Sequence, residues 1–317
     1  MEIVILDSHT TDQGVLSWKA LEAYGNLFVF PRSTRKEALH RIKDAEIVVT
    51  NKMLVDETFL RAAPKLKFVS LLATGYNNVS SDGVRVRNIP VSNVPAYSTD
   101  GVAQHVFSMI LAFINRVVDH HRSVQAGKWQ DSADFSYTLS PIRELNGKTL
   151  GIYGFGRIGR KVAEIGQGFG MNVIAHHRHP KRDARPGVKF VDSDELLRNS
   201  DFLSLHAPLN DASQGFIRAS SLAKMKSTAL LINTARGGLI IESDLRNALV
   251  EGILAGAALD VLSEEPPRNG NILIGAPNCI ITPHIAWQSV ESRQRLIETT
   301  EQNIGSFIRG EINNRVL

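Results

Sequence analysis

The chain has 317 residues, 43% hydrophobic and 21% charged, which excludes a disordered protein and allows two domains of about 150 residues each. Its 36 Lys and Arg against 32 Asp and Glu leave a formal net charge of only +4, in no long basic block, so nucleic acid is not an expected partner. The opening M-E-I-V-I-L-D lacks a basic segment and an adequate apolar core, so no signal peptide is expected. The longest apolar stretch, Val106–Ile114, is far shorter than the ~20 residues that cross a bilayer, so no membrane association is expected either. The lone Cys279, within C-I-I, reads as a small buried residue in a reducing cytoplasm.

Short β-branched runs alternate with helix-length amphipathic segments. Glu2–Leu6 is predicted as a strand, Leu16–Tyr24 as a helix and Asn26–Phe30 as a strand. Thr34–Lys43 follows as a helix with Thr34 as its N-cap, then strands at Glu46–Thr50, Lys67–Leu72 and Val91–Asn93. One long helix is predicted from about Asp100 to Ala126, with Val102, Val106, Met109, Ile110, Phe113, Ile114 and Val117 on a single stripe. Strands then recur at Thr149–Tyr153, Asn172–Ala175, Phe202–His206, Ala229–Asn233, Ala257–Val261 and Cys279–Thr282, and Val290–Arg309 is a last helix. Repeated strand–helix–strand units imply an α/β protein with two doubly wound parallel sheets. The last helix has no strand after it, so it is expected to return to the first unit and make that domain discontinuous.

The sharpest local signal is Gly154-Phe155-Gly156-Arg157-Ile158-Gly159, preceded by the strand K-T-L-G-I-Y and followed by the helix face Ile158, Val162, Ile165, Phe169. In that context Gly154 allows a tight turn, Gly156 lets a pyrophosphate reach the backbone, and Gly159 lets helix and strand approach. The helix N-terminus adds free N–H groups for the phosphates, and Arg157 a charge. A dinucleotide is therefore the expected ligand. The next strand should end on an acid for the adenosine 2′-hydroxyl, roughly 20 residues on. Here it ends A-H-H-R-H-P-K-R, with His177 at the tip, Arg178 beside it and Asp183 the only acid nearby. Arg178 suits a 2′-phosphate, which favours NADP(H) over NAD(H). The paired histidines lack a partner at ligand spacing, so no metal site is expected.

Three further segments place polar groups at strand ends: Asn233-Thr234-Ala235-Arg236-Gly237-Gly238, Asp260-Val261-Leu262-Ser263-Glu264-Glu265-Pro266, and Thr282-Pro283-His284-Ile285-Ala286. With the glycine motif, A-T-G-Y-N-N at Ala73–Asn78 and the segment Thr99–Gln104, this order resembles the D-isomer-specific 2-hydroxyacid dehydrogenases, nearest the glycerate dehydrogenase/hydroxypyruvate reductase branch. The resemblance implies a flavodoxin-like substrate domain (1–98 and 287–317), a Rossmann NAD(P) domain (99–286) and a cleft between them. Hinges would lie near Pro95–Thr99 and Ala286–Ser289, and the long helix would form a homodimer interface.

Reduction of a 2-keto acid delivers hydride to carbon and a proton to oxygen, and a donor with pKa of about 6–7 works best at neutral pH. The resemblance assigns that role to His284, with Glu265 holding its other nitrogen. Arg236 would pair with the substrate carboxylate, together with the main-chain N–H groups at Ala73, Thr74 and Gly75. Asn77 and Asn78 stand where the family often has an Asp. Thr99, Val102 and Thr234 would line the nicotinamide pocket, Asp260 would accept from its carboxamide, His206 and Pro208 would pass the adenine ribose, and Trp287 would cap the substrate pocket. A small 2-keto acid such as hydroxypyruvate or glyoxylate is the implied substrate. A D-3-phosphoglycerate dehydrogenase is the neighbouring alternative, and a dinucleotide-sensing corepressor-like protein the non-enzymatic one. The Glu of the His–Glu pair argues against a formate dehydrogenase.

Overall fold

The computed structural model describes every residue, Met1–Leu317. In chain order its strands are β1 (Glu2–Ile5), β2 (Asn26–Val29), β3 (Ile47–Thr50), β4 (Phe68–Leu71), β5 (Val91–Ser92), β6 (Thr149–Tyr153), β7 (Asn172–His176), β8 (Val188–Phe190), β9 (Phe202–Leu205), β10 (Leu230–Asn233), β11 (Gly256–Leu259) and β12 (Cys279–Ile281). Its α-helices are α1 (His9–Asp12), α2 (Arg35–Arg41), α3 (Glu57–Ala62), α4 (Ser81–Val86), α5 (Thr99–Asn115), α6 (Val117–Gln125), α7 (Arg157–Gly168), α8 (Ser193–Asn199), α9 (Ala219–Leu222), α10 (Glu242–Val250) and α11 (Val290–Ile308). The chain divides into two compact units, Met1–Ser98 with Gln288–Leu317, and Thr99–Trp287.

The first unit is a parallel sheet in the order β2-β1-β3-β4-β5. Every residue of β3 and β4 is buried, as parallel strands covered on both faces require. The Thr34 cap forms as a capping box: Glu37 N–H donates to the Thr34 hydroxyl, and Thr34 N–H donates to the Glu37 carboxylate at 2.7 Å. In α11, Leu296, Ile297, Thr300 and Ile304 are buried, and Phe307 stacks on Phe68 of β4 with ring centroids 4.6 Å apart. The C-terminal tail then runs antiparallel to β5, with Val316 N–H donating to Val91 C=O, and covers an otherwise open sheet edge. The helix expected at Leu16–Tyr24 is instead a 3₁₀ segment, Lys19–Tyr24, in which only Leu21 is buried. One buried position supplies no stripe to hold an α-helix, and Trp18 is already tied to Asp12 through its indole N–H at 2.8 Å.

The second unit is a parallel sheet in the order β12-β11-β10-β9-β6-β7-β8, with α5 and α7 packed on one face and α8–α10 on the other. The order reverses direction at β6, so the crevice of a doubly wound sheet opens beside the carboxyl ends of β6 and β9. The single helix expected from Asp100 to Ala126 is two helices, bent by 49° at Arg116, which sits at φ +48°. The apolar stripe faces inward along α5 and then stops, because Val117 and Val118 lie 66% and 58% exposed. Phe169, expected on the buried face of α7, is a half-exposed C-cap stacked on Phe107. Cys279 lies on the edge strand β12 and is partly rather than fully buried, and its surroundings push the thiol up to about 11. No single helix is long and apolar enough to cross a membrane.

Candidate active site

The glycine turn joins β6 to α7, and its three glycines are there for different reasons. Gly154 has φ +97°, and a Cβ there would lie 2.5 Å from the Ala207 nitrogen. A Cβ on Gly159 would meet the Gly154 carbonyl oxygen at 2.4 Å. Gly156 differs: its φ of −77° suits any residue, and a Cβ there meets nothing within 4 Å. The protein itself gives no reason for glycine at 156, so what needs the space is a ligand over the helix N-terminus. The amides of Arg157, Ile158 and Gly159 find no acceptor in the chain, and Arg157 is exposed with no carboxylate partner. At the end of β10, the Thr234 hydroxyl is buried without a hydrogen-bond partner. An open cradle over free helical amides and an orphaned hydroxyl fit a dinucleotide.

At the β7 tip, His177 is bonded on both ring nitrogens. Its Nδ1 accepts from Phe155 N–H at 3.3 Å, so Nε2 carries the proton and donates to Asp183 at 2.8 Å. The ring braces the glycine turn. Asp183 also accepts from Arg182 at 2.7 Å and lies 3.5 Å from Arg160; hydrogen bonds from Arg182 and then His177 hold its carboxyl down to about 2. The one acid of this loop is thus buried under basic groups, while Arg178 stands exposed with no acceptor. His206 lies just beyond β9, its N–H bonded to Tyr153 C=O and its Nε2 2.8 Å from the Ser204 hydroxyl; loss of water pushes it down to about 3, so the ring is neutral. The Pro208 carbonyl is occupied by the Ser213 hydroxyl at 2.7 Å. Thr99, at the start of α5, lines with Phe155 and Arg157 a cavity of about 550 Å³ beside α7.

The loops after β10, β11 and β12 carry the remaining candidates. His284 Nδ1 and Glu265 Oε2 are 2.6 Å apart, and the other Glu265 oxygen accepts from Leu262 N–H at 3.1 Å. His284 has φ +54°, a strained conformation for a side chain of its size, costing of order 1–3 kcal/mol. Asp260 holds it there. Its carbonyl accepts His284 N–H at 2.9 Å, Oδ1 accepts Ile285 N–H at 2.8 Å and the Thr282 hydroxyl at 2.6 Å, and Oδ2 accepts Ala286 N–H at 2.9 Å. The Asp260 carboxylate has no exposed surface and is given over to these bonds. Arg236 is exposed, its guanidinium bonded only to Ala235 C=O, with no carboxylate partner. Asn233, fully buried and not singled out as a site residue from the sequence, clamps that loop through Ala235 N–H and Arg236 C=O. Gly237 packs so closely on Leu262 that a Cβ would lie 2.0 Å from its carbonyl, which seats the Arg236 loop on the loop of Glu265. Trp287 is half-buried at the end of this unit.

In the first unit, Ala73, Thr74 and Gly75 follow β4. Their N–H groups meet no acceptor in the chain, while Ala73 C=O takes Val94 N–H and the Thr74 hydroxyl donates to Val94 C=O. Three consecutive free amides are donors available to an anion.

A dinucleotide cradle and a braced histidine on the carboxyl edge of one parallel sheet are the equipment of a nicotinamide-dependent oxidoreductase. Residues 107–286 match the family model described as D-isomer specific 2-hydroxyacid dehydrogenase, NAD binding domain. The chain is 40% identical to a hydroxypyruvate reductase of Blautia hydrogenotrophica, over 100% of this chain and 99% of that protein. It is 37% identical to a glycerate dehydrogenase of Methylorubrum extorquens, over 95% and 97% of the two chains. Among solved structures, an acyclic imino acid reductase in complex with NADPH and D-Arg has a TM-score of 0.88 and 30% identity, with both chains fully covered. The chain belongs to the D-isomer specific 2-hydroxyacid dehydrogenase family.

Proposed function

We propose that this protein reduces a small 2-keto acid, hydroxypyruvate or glyoxylate, to the D-2-hydroxy acid, with NADPH as the preferred reductant. The observation that carries the reading is the His284–Glu265 pair at 2.6 Å, set on a strained turn with the second imidazole nitrogen left for substrate. When bound, the reduced nicotinamide supplies the hydride. Gly154, Gly156 and Gly159 with the first amides of α7 would hold its pyrophosphate, and Thr234 and Thr99 would line its nicotinamide end. Glu265 fixes the ring orientation through Nδ1, so that the proton Nε2 carries is delivered to the carbonyl oxygen as it becomes an alkoxide. Arg236, without a competing carboxylate, is assigned to the substrate carboxylate, and the free amides at Ala73, Thr74 and Gly75 of the first unit are assigned to binding an anion. Trp287 is assigned to limiting side-chain size.

The test is loss of reduced-nicotinamide absorbance with a panel of 2-keto acids and each cofactor. Turnover should be highest with hydroxypyruvate or glyoxylate and NADPH. No oxidation with any 2-keto acid would remove the enzymatic reading in favour of a dinucleotide sensor.

The cofactor preference rests on Arg178 being free while Asp183 is neutralised. Arg178→Ala is expected to weaken NADPH binding by about 1.5–3 kcal/mol, roughly 10- to 150-fold, the worth of a charge-assisted contact, while changing NADH binding by less than about twofold. Titration of both cofactors by protein-fluorescence quenching would show it; equal weakening of both would remove the 2′-phosphate assignment.

We assign the protein to the cytoplasm as a homodimer. The supporting surface is not α5, whose stripe packs inside its own unit, but α6 and the segment after it. There Val117, Val118, Trp129, Phe135 and Ile142 are all more than half exposed.

A further inference from the structure

The buried Asp260 carboxylate has no Lys or Arg beside it. The group that faces it is a second histidine, His105 of α5, whose Nε2 lies 3.5 Å from Oδ1 and 3.1 Å from the Thr282 hydroxyl. Proton counting fixes the direction of these contacts. Thr282 has one hydroxyl proton and gives it to Asp260 at 2.6 Å, so towards His105 it can only accept. His105 Nε2 therefore carries a proton and directs it at the Thr282–Asp260 pair. A chain of bonds runs from His105 to Thr282, to the Asp260 carboxylate, and from there to the N–H groups of Ile285 and Ala286 that flank the strained His284.

From this geometry we infer that His105 is a positioning residue for the acid–base turn. A carboxylate that must accept three hydrogen bonds at fixed angles, buried at the end of a strand, needs its remaining face satisfied by a donor from another element. His105 supports that face through Thr282, whose hydroxyl oxygen accepts its proton, and its removal leaves Thr282 and Asp260 free to rotate and the turn under His284 free to relax. His105 touches neither reacting atoms nor cofactor in this scheme; it acts through Asp260. The inference rests on the reading of His284 as the proton donor.

The experiment compares three replacements at position 105 by steady-state kinetics with hydroxypyruvate and NADPH. His105→Gln places an amide N–H near the position of Nε2, His105→Asn has a similar amide without the reach, and His105→Phe keeps the ring without the donor. We expect His105→Asn and His105→Phe to lower kcat about 10- to 100-fold with KM for both substrates within about threefold, the signature of a displaced catalytic group. His105→Gln should recover kcat to within about threefold of the parent. A Gln variant as slow as the Asn variant, or Asn and Phe variants at the parent kcat, overturns the proposal. In the same assay, His105→Phe and Thr282→Val should be strongly non-additive, because both break one chain of bonds; simple multiplication of their effects also overturns it. His284→Ala serves as the control. A parent-like rate there overturns the acid–base reading and this inference with it. Lost activity in His284→Ala beside an unaffected His105→Phe overturns the role of His105 alone.

Discussion

His284→Ala is expected to lower kcat for hydroxypyruvate about 10²- to 10⁴-fold, the usual worth of a positioned general acid, while NADPH affinity stays within about twofold. The imidazole spends Nδ1 on Glu265 and leaves Nε2 as the one proton donor this pair can offer. Nothing in the glycine turn depends on it, because His284 is bonded to Glu265 and to the Asp260 and Thr282 carbonyls just past β11 and β12, away from β6 and α7. Stopped-flow measurement of a single turnover separates the chemical step from binding. An unchanged rate would take the acid role away from His284.

The second large effect belongs to Gly156. A valine there should leave the unfolding midpoint almost unmoved, since its Cβ enters empty space and the backbone is ordinary extended chain; loss of the glycine N-cap costs less than about 1 kcal/mol. The same methyl groups would stand where the pyrophosphate must lie. Overpacking of about 1–3 kcal/mol should then weaken cofactor binding roughly 5- to 150-fold. Gly159→Val should behave in the opposite sense, because its Cβ runs into the Gly154 carbonyl and the helix itself must shift. Calorimetric cofactor titration with thermal unfolding of both variants makes the comparison. If Gly156→Val binds cofactor normally, the open space over the helix N-terminus serves some other purpose.

The sheet architecture was legible in the sequence because parallel strands covered on both faces leave runs such as I-V-V-T and F-L-S-L that nothing else explains. Short helices were not: α3 and α4 have six residues each, fewer than two turns, and show no period. The break at Arg116 was also hidden, because V-V after it continues the apolar composition while facing water. Within the candidate site, the glycine turn is local and its neighbours in sequence announce it. The brace under His284 is not local. His105 and Thr282 are 177 positions apart and meet only because α5 packs across the sheet that ends in β11 and β12. The orientation of His177 was equally invisible, since a strand-tip histidine can face out to a ligand or in to its own loop, and only the amide of Phe155 decides.

Burial pushes the single thiol, Cys279, up to about 11, well above the ordinary cysteine value, so alkylating reagents should attack it slowly at neutral pH. A cysteine introduced on any exposed surface would ionise near its ordinary value and react far faster. The native sequence is therefore already a background for placing one dye or spin label at a chosen position, and motions of either unit during turnover become measurable without first engineering a thiol away.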